Sequence, residues 1–414
     1  MEHTHHSASA LVAQAIGPLK THVAAFVTTL IDQGYSASNV YHHARRVLDF
    51  DRWLQREGIG IASVDEALID AYRRDRLKHP GRCKAWRNEL AALRGLLAFL
   101  CEQGACPRAT SKSEPVERLV GAFEQHLVTL KGLAPLTIAY YIQVAREFLI
   151  GRFGDGEINL ASLDAKDLIE FVRSRAGRMK PPVLKMKITS LRSFLRFAQY
   201  MGAVPAELVS AVPAVASWST TPALPRAIAV DHARCAIDGC DQTTAVGRRD
   251  RAVLLLLARL GLRGCEVLRL RLDDIDWEHG TLLVRGKGGS RATMPLPDDV
   301  GKAIAAYLTT GRPVCSDRHV FLRARAPVRA LMQESDGIGS IVRHALMRAG
   351  VQTPRKGAHQ FRHALAVRLL NDGASLREIG EMLRHRSPQV TTLYARVDVT
   401  ALRNLAMPWP GGAR

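Results

Sequence analysis

Two arginines, a histidine and a tyrosine in the last 160 residues or so could together act on a phosphodiester: Arg263, Arg362, His385 and Tyr394. A tyrosine hydroxyl can attack phosphorus, and negative charge then builds on the non-bridging oxygens. Arginine suits that charge because its planar guanidinium matches two phosphate oxygens and stays ionised at any working pH. We expect Arg263 and Arg362 to clamp the phosphate, His385 to add a hydrogen bond and Tyr394 to be the nucleophile.

Two further residues could move the protons that this reaction requires. Lys287 stands between Gly286 and Gly288 at an expected hairpin tip, where it could protonate the leaving oxygen as a general acid. A free tyrosine has a pKa of about 10, so nearby cations and a base such as His359 must favour the phenolate. Clustered carboxylates of the kind that hold two magnesium ions are not evident, and we expect no metal and no cofactor.

Each group also has a simpler explanation when taken alone. Arg263 and Glu266 are spaced for an ordinary ion pair within a helix. Lys287 could be a solvated turn lysine, and the histidines and Tyr394 could be core residues. The joint interpretation is stronger because the order, spacing and types of the residues all fit one reaction.

The elements that must position these residues form a mixed α and β region. The segments 275–277, 281–284 and 292–296 are typical of three short antiparallel strands, with turns at 279–280 and 286–290. Helical spacing surrounds them, and Ser375 with Glu378 forms a capping box pattern. A further helix is predicted to begin at Ser387-Pro388, just before Tyr394.

The first two hundred residues contain an internal repeat. The segment 93–105, LRGLLAFLCEQGA, returns at 191–203 as LRSFLRFAQYMGA. Ordered matches upstream, such as Phe26 with Phe123 and Asp65 with Asp164, keep nearly the same offset. We predict two copies of an all-helical module with about four helices each.

A basic run precedes the last helix of each copy. Residues 73–94 and 173–196 each contain eight Lys or Arg, and the second run contains no acidic residue. Such runs usually form a solvated face, but two unbalanced runs at one repeat position favour a surface laid against phosphates. The candidate DNA-binding residues are Arg73, Arg74, Arg82, Lys84, Arg87, Arg173, Arg175, Arg178, Lys180, Lys185, Lys187 and, at the hairpin, Arg291.

Composition supports a nucleic-acid partner and argues against other classes. The 414 residues include 58 Lys or Arg against 39 Asp or Glu, a formal net charge of +19. The longest apolar stretch, 252–258, is far too short to span a bilayer, and no signal peptide is evident. The seven cysteines form no CxxC pair. We expect a cytoplasmic, nucleoid-associated protein with reduced thiols and no membrane partner.

With its six candidate catalytic residues in this order, the sequence resembles the tyrosine recombinases, also called phage integrases. By that resemblance Arg263 and Arg362 are the catalytic arginines, Lys287 the hairpin lysine, His359 the first residue of His-x-x-Arg and Tyr394 the nucleophile. His385 matches a position held by His or Trp, and Glu266 matches the acidic residue that supports the first arginine. The family commonly has Leu-Gly-His where this chain has Leu-Arg-His, so Arg384 could add a phosphate contact or shift the backbone.

The resemblance implies a fold that is mainly α with a small antiparallel sheet in an α+β catalytic domain. We predict a helical DNA-binding module (1–110), a helical core-binding domain (111–212), both SAM-like, a linker (213–225) and the catalytic domain with its tail (226–414). It also implies a clamp around double-stranded DNA that carries inverted repeats. Four protomers would exchange strands through 3′-phosphotyrosine intermediates and a Holliday junction. The ending of the chain resembles transposon-borne members that act with other recombinases of the same element.

Two alternatives stay open at this point. The chain could be a non-catalytic DNA-binding partner in a multi-recombinase element. It could also be a nicking and closing enzyme like a type IB topoisomerase, because the chemistry is shared. A covalent adduct with nicked DNA, and recombinant products between two sites, would separate these from an integrase or transposase.

Overall fold

The computed structural model describes most of the chain. The described residues are 12–77, 86–106, 114–154, 156–214, 227–286, 289–331, 337–353, 357–385 and 387–395. They group into two compact units, one with 1–52 and 222–414 and the other with 53–221. This grouping cuts across the predicted module 1–110, and the predicted domain boundaries stay a prediction.

Helices dominate both halves of the sequence. Within the described residues, the helices before residue 215 are α1 (Lys20–Asp32), α2 (Ala37–Arg56), α3 (Glu66–Leu77), α4 (Trp86–Glu102), α5 (Glu114–Thr129), α6 (Pro135–Phe153), α7 (Ala165–Ala176), α8 (Pro181–Tyr200) and α9 (Ala206–Ser210). Those after residue 226 are α10 (Val230–Asp238), α11 (Ala245–Arg259), α12 (Gly264–Leu268), α13 (Asp298–Thr310), α14 (Gly337–Arg348), α15 (His359–Asn371), α16 (Leu376–Met382) and α17 (Pro388–Ala395). No helix within the described ranges has the length and apolar character needed to cross a bilayer.

The predicted repeat is present in the element order. Helices α1–α4 and α5–α8 each have a short 3₁₀ turn between the second and third helix, at Ile61–Ser63 and Leu160–Ser162. Asp65 and Asp164 then cap the next helix, because their carboxylates accept backbone N–H groups three residues on, at 2.7 and 3.0 Å. The two copies therefore have the same order of helices and the same type of cap at the third helix.

The last helix of each copy also ends in the same way. Gly104 and Gly202 have φ values of +69° and +70°, a left-handed conformation that glycine adopts without strain. The following N–H groups, of Ala105 and Ala203, return to carbonyls five residues back at 2.9 Å. This ending explains why the Gly-Ala pair recurs in the two copies.

The C-terminal region has a main core with a small sheet at its side, and a smaller buried cluster that includes Leu383 and Tyr394. The apolar stretch of α11 that is fully or nearly fully buried, 252–257, packs against α13, α15 and α14. The sheet has three antiparallel strands in the order β1 (Ile275–Asp276), β2 (Thr281–Arg285) and β3 (Arg291–Pro295). The predicted strands lie within a residue or two of these bounds. The mainly α fold with a small antiparallel sheet is confirmed.

Candidate active site

Arg362 lies at the centre of the site and is held from two sides. It belongs to the first turn of α15, is 3% exposed and donates to the carbonyl oxygens of Gly261 and Leu383. Burial and the nearby Arg263 and Arg384 lower the pKa of Arg362 to about 10, so its guanidinium stays charged at neutral pH. The side chain thereby joins two loops that are far apart in sequence.

Gly261 is required where those loops meet. Its φ is +57°, and a Cβ there would lie 2.7 Å from a Leu383 methyl carbon and 2.9 Å from one of Leu365. A larger residue would strain the backbone and push the two leucines apart. The glycine therefore allows the close approach that lets Arg362 reach both carbonyls.

Arg263 caps the short helix α12 together with Glu266. One carboxylate oxygen of Glu266 accepts from Arg263 Nη1 and the other from the Arg263 backbone N–H, both at 2.8 Å. Glu266 is buried, which alone would raise its pKa. The hydrogen bonds from Arg263 and the charges of Arg384 and Arg263 outweigh burial, so the pKa of Glu266 is lowered and the carboxylate stays ionised.

Arg384 turns towards the same carboxylate. Its Nη2 donates to Glu266 Oε2 at 2.9 Å, and its Nη1 donates to the Met382 carbonyl at 3.3 Å and contacts the Met294 sulfur. The φ of Arg384 is +53°, which is uncommon for a residue with a side chain. The guanidinium faces Glu266, and its side chain is only 15% exposed. The two roles expected from sequence, a phosphate contact and a backbone shift, stay predictions.

Tyr394 lies on α17 and is 2% exposed. Its hydroxyl is 2.9 Å from Nδ1 of His363, and its ring stacks on that of His385 with centroids 6.3 Å apart. Burial raises the pKa of Tyr394, while Arg362 and Arg263 act in the opposite direction. Tyr394 is therefore a protonated phenol at neutral pH that lies within the field of both arginines.

The two predicted catalytic histidines both lie near Arg362 and Arg263, and both have a lowered pKa. Burial, followed by Arg362, Arg263 and other nearby positive groups, lowers the pKa of His385 to about 4, so it is neutral at pH 7. Its Nδ1 is 2.7 Å from the Thr391 hydroxyl. His359 is exposed to solvent. Desolvation of part of its ring, together with Arg362 and Arg263, lowers its pKa.

Sequence reasoning missed the residue that meets the tyrosine hydroxyl. His359 was the expected base, but His363, four residues on, makes this contact; the ring centroids of the two histidines are 6.2 Å apart. The signal in the sequence was the i, i+4 spacing of the two histidines, which puts them on one helix face.

Lys287 and Gly288 lie outside the described residues, but the base of their hairpin is well defined. The last pair of β2 and β3 is Arg285 with Arg291, and the Gly286 N–H donates to the Ser290 carbonyl at 2.7 Å. Arg285 Nε donates at 3.1 Å to Asp274, whose side chain is almost fully buried. This ion pair anchors the strand that leads to Lys287.

The candidate DNA-binding residues differ in their exposure. Exposed members are Arg73, Arg74, Arg173, Arg178, Lys180, Lys185 and Arg291. Arg175 is half-buried, its guanidinium 3.7 Å from the Phe171 ring centroid. Lys187 is buried, with its ammonium on Glu147 and its side chain 9% exposed. Arg82 and Lys84 lie outside the described residues, as does the side chain of Arg87.

The site holds guanidiniums rather than metal ligands. Among the residues that the structure describes, no group of three or more His, Cys, Asp or Glu is arranged to hold a metal ion. Arg263 and Arg384 both donate to Glu266, and their charges lower the pKa of the neighbouring Arg362. Such an arrangement can neutralise a phosphate and favour a phenolate next to it.

Known families and proteins resemble this chain along most of its length. Residues 230–400 match the phage integrase family, and residues 23–104 match the N-terminal SAM-like domain of phage integrases. An integrase/recombinase of Sinorhizobium fredii, y4rA, is 45% identical over 96% of both chains. Tyrosine recombinase XerC of Oceanobacillus iheyensis is 30% identical over 70% of this chain and 95% of its own.

Solved structures show the same fold. A XerH site-specific recombinase bound to palindromic difH substrate has a TM-score of 0.53 at 18% identity, covering 76% of this chain and 93% of that one. A lambda integrase dimer bound to a core site has a TM-score of 0.50 at 16% identity, covering 67% of this chain and 94% of that one. With its near full-length relative at 45% identity, the chain belongs to the phage integrase family, the tyrosine recombinases, and is an enzyme of that family.

Proposed function

We propose that the chain cleaves and rejoins specific DNA sites through a 3′-phosphotyrosine intermediate, without a metal ion. The observation that carries this proposal is the placement of Tyr394 beside His385 and within the field of Arg362 and Arg263. In cleavage the Tyr394 oxygen bonds to phosphorus, and the bond from phosphorus to the 5′ oxygen breaks. The 5′ oxygen takes a proton, for which Lys287 is the candidate donor. Rejoining reverses each of these steps.

Because Tyr394 is buried, the site must change before this reaction can occur. Tyr394 is only 2% exposed, so the site must open around its hydroxyl before a DNA phosphate can reach it. Arg362 and Arg263 need a smaller change, because hydrogen bonds to Glu266 and to loop carbonyls already fix their guanidiniums. DNA binding would therefore complete a site whose phosphate-binding half is preformed.

The proposed partner is double-stranded DNA with inverted repeats, bound by four copies of the chain, with other recombinases of the same element as further partners. Exposed basic residues on the repeated modules and Arg291 at the hairpin support a phosphate-facing surface. Lys187 is left out of that surface because Glu147 already neutralises it. A net charge of +19 agrees with a polyanionic partner.

Nicked duplexes that carry the inverted repeats flanking the gene provide the test. The protein is incubated with them in EDTA, and a covalent protein–DNA adduct is sought on a denaturing gel. We expect an adduct with the natural chain and with Tyr307→Phe, a buried tyrosine whose hydroxyl accepts the Leu322 N–H, and none with Tyr394→Phe. Tight binding without an adduct would contradict the proposal and support a non-catalytic partner. Relaxation of supercoiled DNA without products between two sites would support a nicking and closing enzyme.

A further inference from the structure

His363 is the histidine that reaches the nucleophile. Its Nδ1 lies 2.9 Å from the Tyr394 hydroxyl, although 31 residues separate the two in sequence. A phenol has one proton to donate, and an unprotonated imidazole nitrogen accepts it. The contact therefore places a proton acceptor directly on the group that must lose its proton before it can attack.

The other two histidines are arranged differently. His385 lies parallel to the Tyr394 ring, with 7° between the two planes, and its Nδ1 is at the Thr391 hydroxyl. His359 is one turn before His363 on α15, and its ring contacts that of His363. Within the described part of the site, His363 is thus the histidine whose ring nitrogen is at hydrogen-bond distance from the phenol.

The charges around this pair favour transfer of the proton. Arg362 precedes His363 on α15, and the charges of Arg362 and Arg263 act to lower the pKa of Tyr394. Titratable and charged groups near His363 include His359 and Arg362 on its own helix, Tyr394 on α17 and His385 in the preceding loop. The carboxylate of Glu266 acts on His359 and Arg362 in the same cluster.

We propose that His363 accepts the Tyr394 hydroxyl proton during cleavage and returns it during rejoining. This inference rests on the proposed function, since it assigns the base for the same nucleophile. The tyrosine O–H bond breaks and an Nδ1–H bond forms, while the phenolate oxygen bonds to phosphorus and the 5′ oxygen leaves with a proton from the general acid. In rejoining the 5′ hydroxyl returns its proton to the general acid and its oxygen bonds to phosphorus. The bond from phosphorus to the Tyr394 oxygen breaks, and the departing phenolate recovers the proton from His363.

Single-turnover cleavage isolates this step. The probe is the nicked inverted-repeat duplex with sulfur in place of the bridging 5′ oxygen at the cleavage position, because a thiolate leaves without protonation and the general acid is no longer needed. The variants are His363→Ala, which removes the acceptor, and His363→Gln, which keeps a hydrogen-bond acceptor but takes up no proton near neutral pH. His344→Gln, on the exposed face of α14, is the matched control.

We expect both His363 variants to form adduct about 10²–10⁴-fold more slowly than the natural chain at equal DNA occupancy, with the control unchanged. Added imidazole should restore part of the cleavage rate of His363→Ala. As the pH rises, the difference in rate between the variants and the natural chain should become smaller, because phenolate then forms without a base.

Two results would overturn the inference alone. If His363→Gln cleaved at the natural rate, His363 would only position the Tyr394 hydroxyl and would not accept its proton. If His363→Ala cleaved faster than the natural chain, the contact would inhibit cleavage. If the natural chain itself formed no adduct while binding DNA, the proposed function would fail first, and this inference with it.

Discussion

Arg384 donates from Nη2 to Oε2 of Glu266, 2.9 Å away, and so shares this buried carboxylate with Arg263. The family commonly has glycine at the Arg384 position, and the backbone keeps the left-handed conformation that suits glycine, with φ at +53°. Arg384 therefore occupies a strained backbone position, and its guanidinium is anchored on the carboxylate that also holds Arg263, a predicted catalytic arginine.

The backbone strain at Arg384 can be measured by comparing two variants. Arg384→Gly and Arg384→Ala lose the same contact with Glu266, but only alanine keeps a Cβ at a positive φ. We expect the free energy of unfolding of Arg384→Gly to exceed that of Arg384→Ala by about 1 kcal/mol in urea titrations. Equal stability, or a more stable alanine variant, would show that the left-handed conformation is not retained.

Glu266 should make the stability of the chain depend on acidic pH. Its pKa is lowered in the folded state, so its contribution is present above its ordinary pKa and is lost as the pH falls through the folded value. Glu266→Gln should therefore be less stable than the natural chain at pH 7, and the difference should shrink towards pH 3. Urea titrations at several pH values measure it, and a difference that does not change with pH would contradict the assignment.

His385 should stay neutral over the whole physiological range. Its folded pKa is about 4, whereas the unfolded chain takes up the proton near pH 6.5. Its contribution to stability should therefore fall as the pH drops from about 6.5 to about 4, because only the unfolded state gains a proton there. NMR of labelled histidine, with His385→Asn to assign the signal, checks this. A titration of that signal near pH 6.5 would contradict it.

Lys185 and Lys187 form a matched pair on α8 that separates phosphate binding from packing. Lys185 is exposed, whereas Lys187 is buried on Glu147. Lys185→Gln should weaken DNA binding and reduce the slope of log K against log salt by about 1. Lys187→Gln should lower the free energy of unfolding and leave the slope unchanged. Fluorescence anisotropy at several salt concentrations measures the slopes, and a reversed pattern would put Lys187 on the DNA surface.

The sequence was sufficient for features set by residue type and local spacing. The repeat could be predicted because caps such as Asp65 and Asp164 recur at a fixed offset, and the strands because turn residues bound them. The catalytic domain fold was recognisable because arginine, histidine and tyrosine occur in one order.

What the sequence could not show depends on packing between distant segments. The charge run on α8 contained no sign that Lys187 faces Glu147, 40 residues earlier. The contact between His363 and Tyr394 requires α17 to pack near α15, which no local pattern specifies. The direction of the Arg384 side chain likewise depends on where Glu266 is buried.

The most direct test of the account is the identity of the bond between protein and DNA. The protein is incubated in EDTA with a nicked inverted-repeat duplex that is labelled at either end. The covalent adduct that accumulates is digested and analysed by mass spectrometry. The account predicts that Tyr394 carries the 3′ phosphate of the cleaved strand. Attachment through a 5′ phosphate, attachment at another residue, or cleavage that occurs only with added magnesium would contradict it.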